Sequence, residues 1–354
     1  MAMKKKWIDI SSPVRSEAEN SVYSASYTLR NLAEGGVIPE QQLKRFQKKT
    51  FLDDFYWRAY WRRGDLITAG GRAQLPQRVD AVVVFMHGWD GNGEIWENLP
   101  ARVLGNEKNL LVLVPDVNGF YRSPFRHPDK ISFQQCNPSS DMKAIELWLE
   151  LIGVLGGRRY TPVVFAGHSM SGAALFYFNE KRWRQHPIGR VALAPALLMN
   201  DGLRKSFYRA LGIGIYASQK LSLEQLSNSL SPKVINQLIS GASKSVQATH
   251  EKVFKATAKE TLANTFYAMG GAKLPVQNKK WQNFKVLLGH EDRLVGLTSM
   301  LDLLVELGIG SRQMRVVLGD HYFFSVGHHS RSLHQESREI ALEEICDMVQ
   351  ACRR

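Results

Sequence analysis

Val163-Val164-Phe165-Ala166-Gly167-His168-Ser169-Met170-Ser171-Gly172 is an apolar run that stops abruptly on a serine among small residues. Val163 to Ala166 are strand formers in a short unbroken segment, the pattern of a central parallel strand buried on both faces. Ala173, Ala174, Leu175, Tyr177 and Phe178, continuing into Lys181 to Arg184, predict a helix with a cationic C-terminal end. Between strand and helix the chain must turn sharply, and Gly167 and Ser171, two before and two after Ser169, let it do so without a Cβ clash. That turn lifts Ser169 Oγ out of the sheet, at the positive end of the following helix. A turn centred one step later, on Ser171, is the alternative, but it leaves no glycine for the strained position. The bland alternative is an ordinary strand-turn-helix with incidental serines.

Three further strands come with this one. Upstream, Ala81-Val82-Val83-Val84-Phe85-Met86 runs straight into His87-Gly88-Trp89-Asp90-Gly91-Asn92. Downstream, Phe284-Lys285-Val286-Leu287-Leu288-Gly289 leads into His290-Glu291-Asp292-Arg293, and Met314-Arg315-Val316-Val317-Leu318-Gly319-Asp320 ends on His321. Asp292 and His321 are 29 residues apart, room for the crossover helix of Leu297 to Leu307 that a parallel pair requires.

In these segments the chain resembles the α/β-hydrolase superfamily: a Gly-x-Ser-x-small elbow, a His-Gly turn after an early strand, and the order Ser, Asp, His. The glycine that usually closes the elbow motif is replaced by Ser171. The resemblance covers roughly residues 50 to 354. It implies an α/β fold with a mostly parallel central sheet flanked by helices, and a helical cap inserted before the strand that carries the acid. It also implies Ser169 as nucleophile, Asp292 as acid and His321 as base, with the backbone amides of Trp89 and Met170 as oxyanion donors. The phrase Gly-x-x-Asp-x-x-Val selects Asp292 over Glu291. His328 and His329 compete with His321 for the role of base, and as part of a Gly-His-His-Ser stretch past the strand end they read as solvated loop residues. His87 is expected to hold the oxyanion turn and His168 to pack or bond locally.

The chain of 354 residues divides into an N-terminal extension over 1–50, expected to be helical, with Pro39 opening a helix at Glu40 to Lys49. Core segments follow over 51–199 and 284–354, with the cap over 200–283. Phe51 to Arg63 reads as the antiparallel entrance to the sheet. Asp141 is expected to cap a helix in which Ile145, Trp148, Leu149 and Ile152 recur at helical spacing. In the cap, helices are predicted over Ser222 to Ser229, Ser231 to Ser240 and Ser245 to Met269. The last carries an apolar stripe of Phe254, Ala258, Leu262, Phe266 and Met269. Where cap and core meet, His87, Trp89, His168, Phe254 and Phe266 are candidates for a substrate pocket.

The net charge is +13, and residues 200 to 283 carry twelve Lys or Arg against four Asp or Glu. Lys252, Lys255 and Lys259 mark one face of the long cap helix. Such a cap would suit an anionic acyl substrate or surface, but lysines spread over several helices fit a solvated face better. No nucleic-acid reader motif is present. Cys136, Cys346 and Cys352 are odd in number and widely spaced, which suits free thiols in a reducing, cytoplasmic setting. The lysines after Met3 have no apolar segment behind them, so no cleaved leader and no stable membrane insertion are expected. Neither a metal nor an organic cofactor is implied. The expected partner is a small acyl ester. Thioester, acyl-transfer and carbon–carbon bond chemistry use the same three residues and remain alternatives, as does a silent binding protein of the same fold.

Overall fold

The computed structural model describes residues 15–17, 22–62, 68–69, 72–73, 79–117, 119–157, 160–198, 201–220, 239, 241–269, 281–326 and 332–354. The apolar runs become the parallel strands β6 (Ala81–Met86), β7 (Leu110–Pro115), β8 (Val163–His168), β9 (Ile188–Leu193), β10 (Phe284–Gly289) and β11 (Met314–Val317). β6, β7 and β8 are buried along their whole length, which is why they show no alternation of polar and apolar residues. Ahead of them stand β1 (Arg15–Glu17), β2 (Val22–Thr28) and β3 (Tyr56–Arg62), with β4 (Thr68–Ala69) and β5 (Arg72–Ala73) forming a separate ribbon. The nine-stranded sheet runs β1-β2-β3-β7-β6-β8-β9-β10-β11. β6 and β8 pair from Val82↔Val163 to Met86↔Gly167, so both strands deliver their C-terminal turns to one place near the sheet's centre.

The helices are α1 (Leu29–Glu34), α2 (Glu40–Thr50), α3 (Leu99–Asn106), α4 (Pro138–Leu151), α5 (Ser169–Ala174), α6 (Gly202–Lys220), α7 (Lys244–Ala256), α8 (Lys259–Met269), α9 (Leu297–Glu306) and α10 (Ser332–Arg353). α4 packs against α5 and α2, whereas α10 packs against α3 and the strands β8 and β9. Between β9 and β10 the described residues are helical for the most part, with α6 lying on α8. None of the helices among the described residues is long and apolar enough to cross a membrane. The three cysteines are free and buried.

Four expectations need correction. Among the described residues the extension over 1–50 is helical only in α1 and α2; Val22–Thr28 is a strand paired antiparallel with β3 over seven residues, and it covers the edge β3 would otherwise expose. The helix after Ser169 stops at Ala174, tightens into a turn over Leu175–Tyr177, and never reaches Lys181 to Arg184. Glu146 of α4 draws the chain away there, its carboxylate accepting from Asn179 N–H and Trp183 Nε1–H, each at 2.8 Å. In the cap, Ser245 to Met269 is two helices broken at Thr257, which is extended (φ −90°, ψ 137°) and accepts Tyr121 N–H on its hydroxyl. The fourth concerns Asp141: the cap of α4 is Asn137, whose side chain accepts from Ser140 N–H.

The helices expected over Ser222 to Ser229 and Ser231 to Ser240 fall, apart from Ile239, outside the described residues. α6 was not expected, because its glycines weaken the helical signal. Gly212 is there to let α6 approach α8: a Cβ would stand 2.6 Å from Ala263 O.

Aromatic rings tie the extension to the core. Tyr27 of β2 stacks on Trp57 at 5.6 Å, Trp57 meets Trp148 of α4 at 5.3 Å, and Phe46 of α2 meets Phe55 at 5.8 Å. Trp57, Phe55 and Trp148 are at most 1% exposed. Deleting residues 1–50 uncovers these rings together with the β3 edge. The shortened chain is therefore expected to aggregate or to lose its cooperative thermal transition, and a sharp melt of a monomer by circular dichroism and size exclusion would contradict this role.

Candidate functional site

Ser169 is the first residue of α5 and has φ +53°, in the left-handed region that non-glycine residues rarely occupy. Its neighbours make that conformation fit. A Cβ on Gly167 would fall 2.6 Å from Ser171 O, and one on Gly172 3.1 Å from Pro195 Cα, so strand, turn and helix can close up only with hydrogen at these two positions. Ser171 donates from Oγ to Asp141 Oδ2 at 2.8 Å. The hydroxyl at the motif's departing position is thus an anchor between α5 and α4. Asp141 lies four and seven residues before Ile145 and Trp148, on the apolar face of its helix, and that spacing is the signal that it points inward.

The turn after β6 lies directly against this serine: a Cβ on Gly88 would stand 2.8 Å from Ser169 Cβ. His87 fixes the turn. Its Nδ1–H donates to Gly88 O at 2.7 Å while Nε2 accepts Val117 N–H at 2.8 Å, which leaves a neutral ring with both nitrogens used. Complete burial lowers its pKa. Asn92 caps the next turn by accepting Glu94 N–H, and buried Asp116 accepts Gly93 N–H and pairs with Arg122 at 2.6 Å. The amide of Met170 lies in the first turn of α5, where N–H groups have no intrahelical acceptor.

Asp292 and His321 are brought together from the ends of β10 and β11. Asp292 Oδ1 accepts from Leu294 N–H at 2.9 Å and Val295 N–H at 3.1 Å, and Oδ2 faces His321 Nδ1 at 2.7 Å. Both side chains are buried. Because the carboxylate offers acceptors only, Nδ1 carries the proton in this contact, and Nε2 is the nitrogen turned away from Asp292. Among the described residues Ser169 Oγ has no hydrogen-bond partner, and the link from Ser169 to His321 runs instead through His168. The His168 ring packs on the His321 ring at 4.6 Å, and its Nε2–H donates to His321 O at 3.0 Å. Burial drives the His168 pKa well below its ordinary value, so it serves as a neutral spacer. His328 and His329 lie outside the described residues.

The cap reaches the same place. Trp89 stacks on Phe266 of α8 at 3.7 Å and donates from Nε1 to Leu262 O at 3.3 Å. Phe254 is buried under the Lys259 ammonium, 3.9 Å above its ring. The three cap lysines each have a local partner: Lys252 with Glu94, Lys255 with Glu251, and Lys259 with Phe254 O. A cleft of about 500 Å³ on the other side of the acid loop is lined by Asp292, Arg204, His290 and Arg293, but by neither Ser169 nor His321.

Two contacts escaped the sequence reading: Asp141 with Ser171, and His250 with Tyr322. Each pairs polar side chains far apart in sequence. Only the helical position of Asp141 and of His250, four residues after Val246, hints that they are buried.

No family model matches the chain, and no curated protein does. Among solved structures it is similar to an esterase from Exiguobacterium antarcticum, at 13% identity over 84% of this chain and 96% of that one, with a TM-score of 0.54. It is also similar to a structure from work on carboxylesterases of the thaumarchaeon Nitrososphaera gargenis, at 14% identity over 96% and 99%, TM-score 0.51. An epoxide hydrolase from Bacillus megaterium bound to its diol product aligns at 10% identity over 76% and 93%, TM-score 0.52.

Burial raises the Asp141 pKa from 3.8 to about 7, opposed by the Ser171 hydrogen bond. Between those values the folded protein holds a proton that the unfolded chain has released, so this group makes stability fall as pH rises from about 4 to 7 and adds no slope above. Asp141→Asn, uncharged throughout, removes the effect. Its melting temperature relative to the parent should rise by a few degrees between pH 5 and pH 8; a constant difference across that range would mean that Asp141 does not titrate there. The sheet order, the parallel pairing and the helical block between β9 and β10, together with these structural likenesses, give this chain the α/β-hydrolase fold with a cap region.

Proposed function

We propose that the protein is a serine hydrolase that cleaves a carboxylic ester through an acyl-enzyme, with Ser169, His321 and Asp292 as its triad. One observation carries this reading: a buried His321 bonded to Asp292 at 2.7 Å, with the opposite nitrogen free, beside a serine held at φ +53°. In the reaction Ser169 Oγ attacks the acyl carbon as its proton passes to His321 Nε2. The imidazolium is stabilised by Asp292 and returns the proton to the departing alkoxide; water, activated by the same nitrogen, then releases the acid. The amides of Trp89 and Met170 would receive the oxyanion, each such donor being worth about 2.7–4 kcal/mol. An open Ser–His contact is common before substrate binds.

The buried histidines help to choose the base. His87, His168 and His250 all have pKa values lowered by burial, and His87 and His168 each spend a nitrogen on a backbone carbonyl. Of the described histidines near Ser169, His321 has a carboxylate at hydrogen-bond distance. Serine at the nucleophile position argues against the aspartate chemistry of epoxide opening. The partnered lysines favour a neutral acyl ester over an anionic one.

A fluorophosphonate should label one residue, Ser169, and His321→Ala should lower both labelling rate and ester turnover by roughly 10⁴-fold. An adduct on Ser171, a folded protein that neither labels nor turns over esters, or a dead His328→Ala beside an active His321→Ala would each overturn the assignment. Changing Lys252, Lys255 and Lys259 together to Gln should alter kcat/KM similarly for anionic and neutral esters of equal length. A larger loss on the anionic ester that shrinks with salt would instead make the cap an electrostatic guide.

A further inference from the structure

α7 of the cap sends the imidazole of His250 into the core. The His250 ring is buried, with Nε2 at 2.7 Å from the Tyr322 hydroxyl. Its other nitrogen, Nδ1, faces Asp90 and stands 3.8 Å from Asp90 Oδ2. With the phenol donating to Nε2, the neutral ring carries its proton on Nδ1, turned toward Asp90. One neutral tautomer suits both neighbours. The approach to the Asp90 carboxyl is not an ion pair, because burial pushes the imidazole down to about 3 and the carboxyl well above its usual value.

The two residues His250 joins are the immediate neighbours of two groups in the proposed chemistry. Asp90 follows Trp89 in the turn against Ser169, and its φ of +54° is a strained value that needs outside support. Tyr322 follows His321, its own N–H held by Asp320 Oδ1 at 2.8 Å. The core already fixes the His321 carbonyl through His168. Farther along both segments Glu97 Oε2 accepts Val326 N–H at 2.8 Å; beside Trp89 and His321 themselves, among the described residues, it is His250 that links the base loop to the turn after β6.

We infer that His250 is a positioning residue, contributed by the cap, that sets the spacing between the oxyanion turn and the base loop through Asp90 and Tyr322. The inference rests on the proposed hydrolase chemistry. It makes the cap part of the catalytic alignment as well as a cover over the cleft. Misplacement of reacting groups by about 1 Å can cost about 10²-fold in rate, so loosening either contact should act on kcat.

The test uses the full chain, a short neutral p-nitrophenyl ester, and the variants Tyr322→Phe, His250→Phe and His250→Gln. Tyr322→Phe and His250→Phe are expected to lower kcat by roughly tenfold to a hundredfold, with KM changed by less than about twofold. Fluorophosphonate labelling of Ser169 should slow in parallel. His250→Gln, whose carboxamide offers both a donor and an acceptor, should recover most of the rate. In the Tyr322→Phe background, however, His250→Gln should recover nothing, because the phenol it would serve is gone. Variants that keep parental kcat overturn the inference, as does a fall in kcat that Gln does not rescue or one that simply tracks a lowered melting temperature. If the parent protein is folded yet neither hydrolyses esters nor labels at Ser169, the proposed chemistry fails and this inference falls with it.

Discussion

The positive φ of Ser169 is the constraint around which the centre of the molecule is arranged. A non-glycine residue held there costs on the order of 1–3 kcal/mol and persists only when its surroundings leave no alternative. β8 lies between β6 and β9, bonded on both sides up to its last residues, so the chain arrives at the turn with no freedom of register. Gly167 and Gly172 let the helix start without a clash, Gly88 lets the neighbouring turn lie against the serine, and Asp141 holds Ser171 from below. The strain is local, and its support comes from four separate segments.

Ala194, with φ +45°, repeats the device at the end of β9, where its N–H donates to Leu287 O and Ala196 N–H donates to Ser169 O. The carbonyl of the strained serine is therefore bonded as well. On the other flank, a Cβ on Gly289 would collide with the Asp320 backbone, so only glycine lets the loops carrying Asp292 and His321 run side by side. Close backbone approach, made possible by single hydrogens in place of side chains, brings Asp292 and His321 within 2.7 Å of each other.

What was legible in the sequence follows from these same physics. β6, β7 and β8 announce themselves as unbroken apolar runs because both faces are covered, whereas β9, β10 and β11 carry Arg190, Lys285 and Arg315, and β11 at the sheet edge is only partly buried. Less legible were features decided by distant partners. Nothing local to Asn179 and Trp183 says that Glu146 will draw them out of a helix, and nothing local to Thr257 says that Tyr121 will bond its hydroxyl. Asp141 was misread because an aspartate at a helix start usually caps, whereas here the neighbouring Asn137 takes that role and leaves the carboxyl to Ser171. β2 was missed for a related reason: its alternating burial is written in Val, Ser, Ala, Tyr and Thr, a pattern too weak to compete with the helices on its C-terminal side.

The buried contacts between cap and core at Trp89 and Tyr322 are made by groups that carry no charge, and the Lys252–Glu94 pair lies at the half-exposed rim. Trp89 meets Phe266 face to face, and His250, Tyr322 and Asp90 form a buried polar chain in which the imidazole and the phenol are both neutral. Charged side chains buried at this boundary would have to shed their water, at several kcal/mol for each ion. Neutral hydrogen bonds and stacked rings avoid that penalty. The cationic residues of the cap are correspondingly placed where water already reaches them, with Lys252 and Lys255 about half exposed beside their partners. The one of these lysines that reaches the core, Lys252, does so at the wetted rim of the joint. Inside the joint, a directional set of neutral contacts specifies where the cap sits.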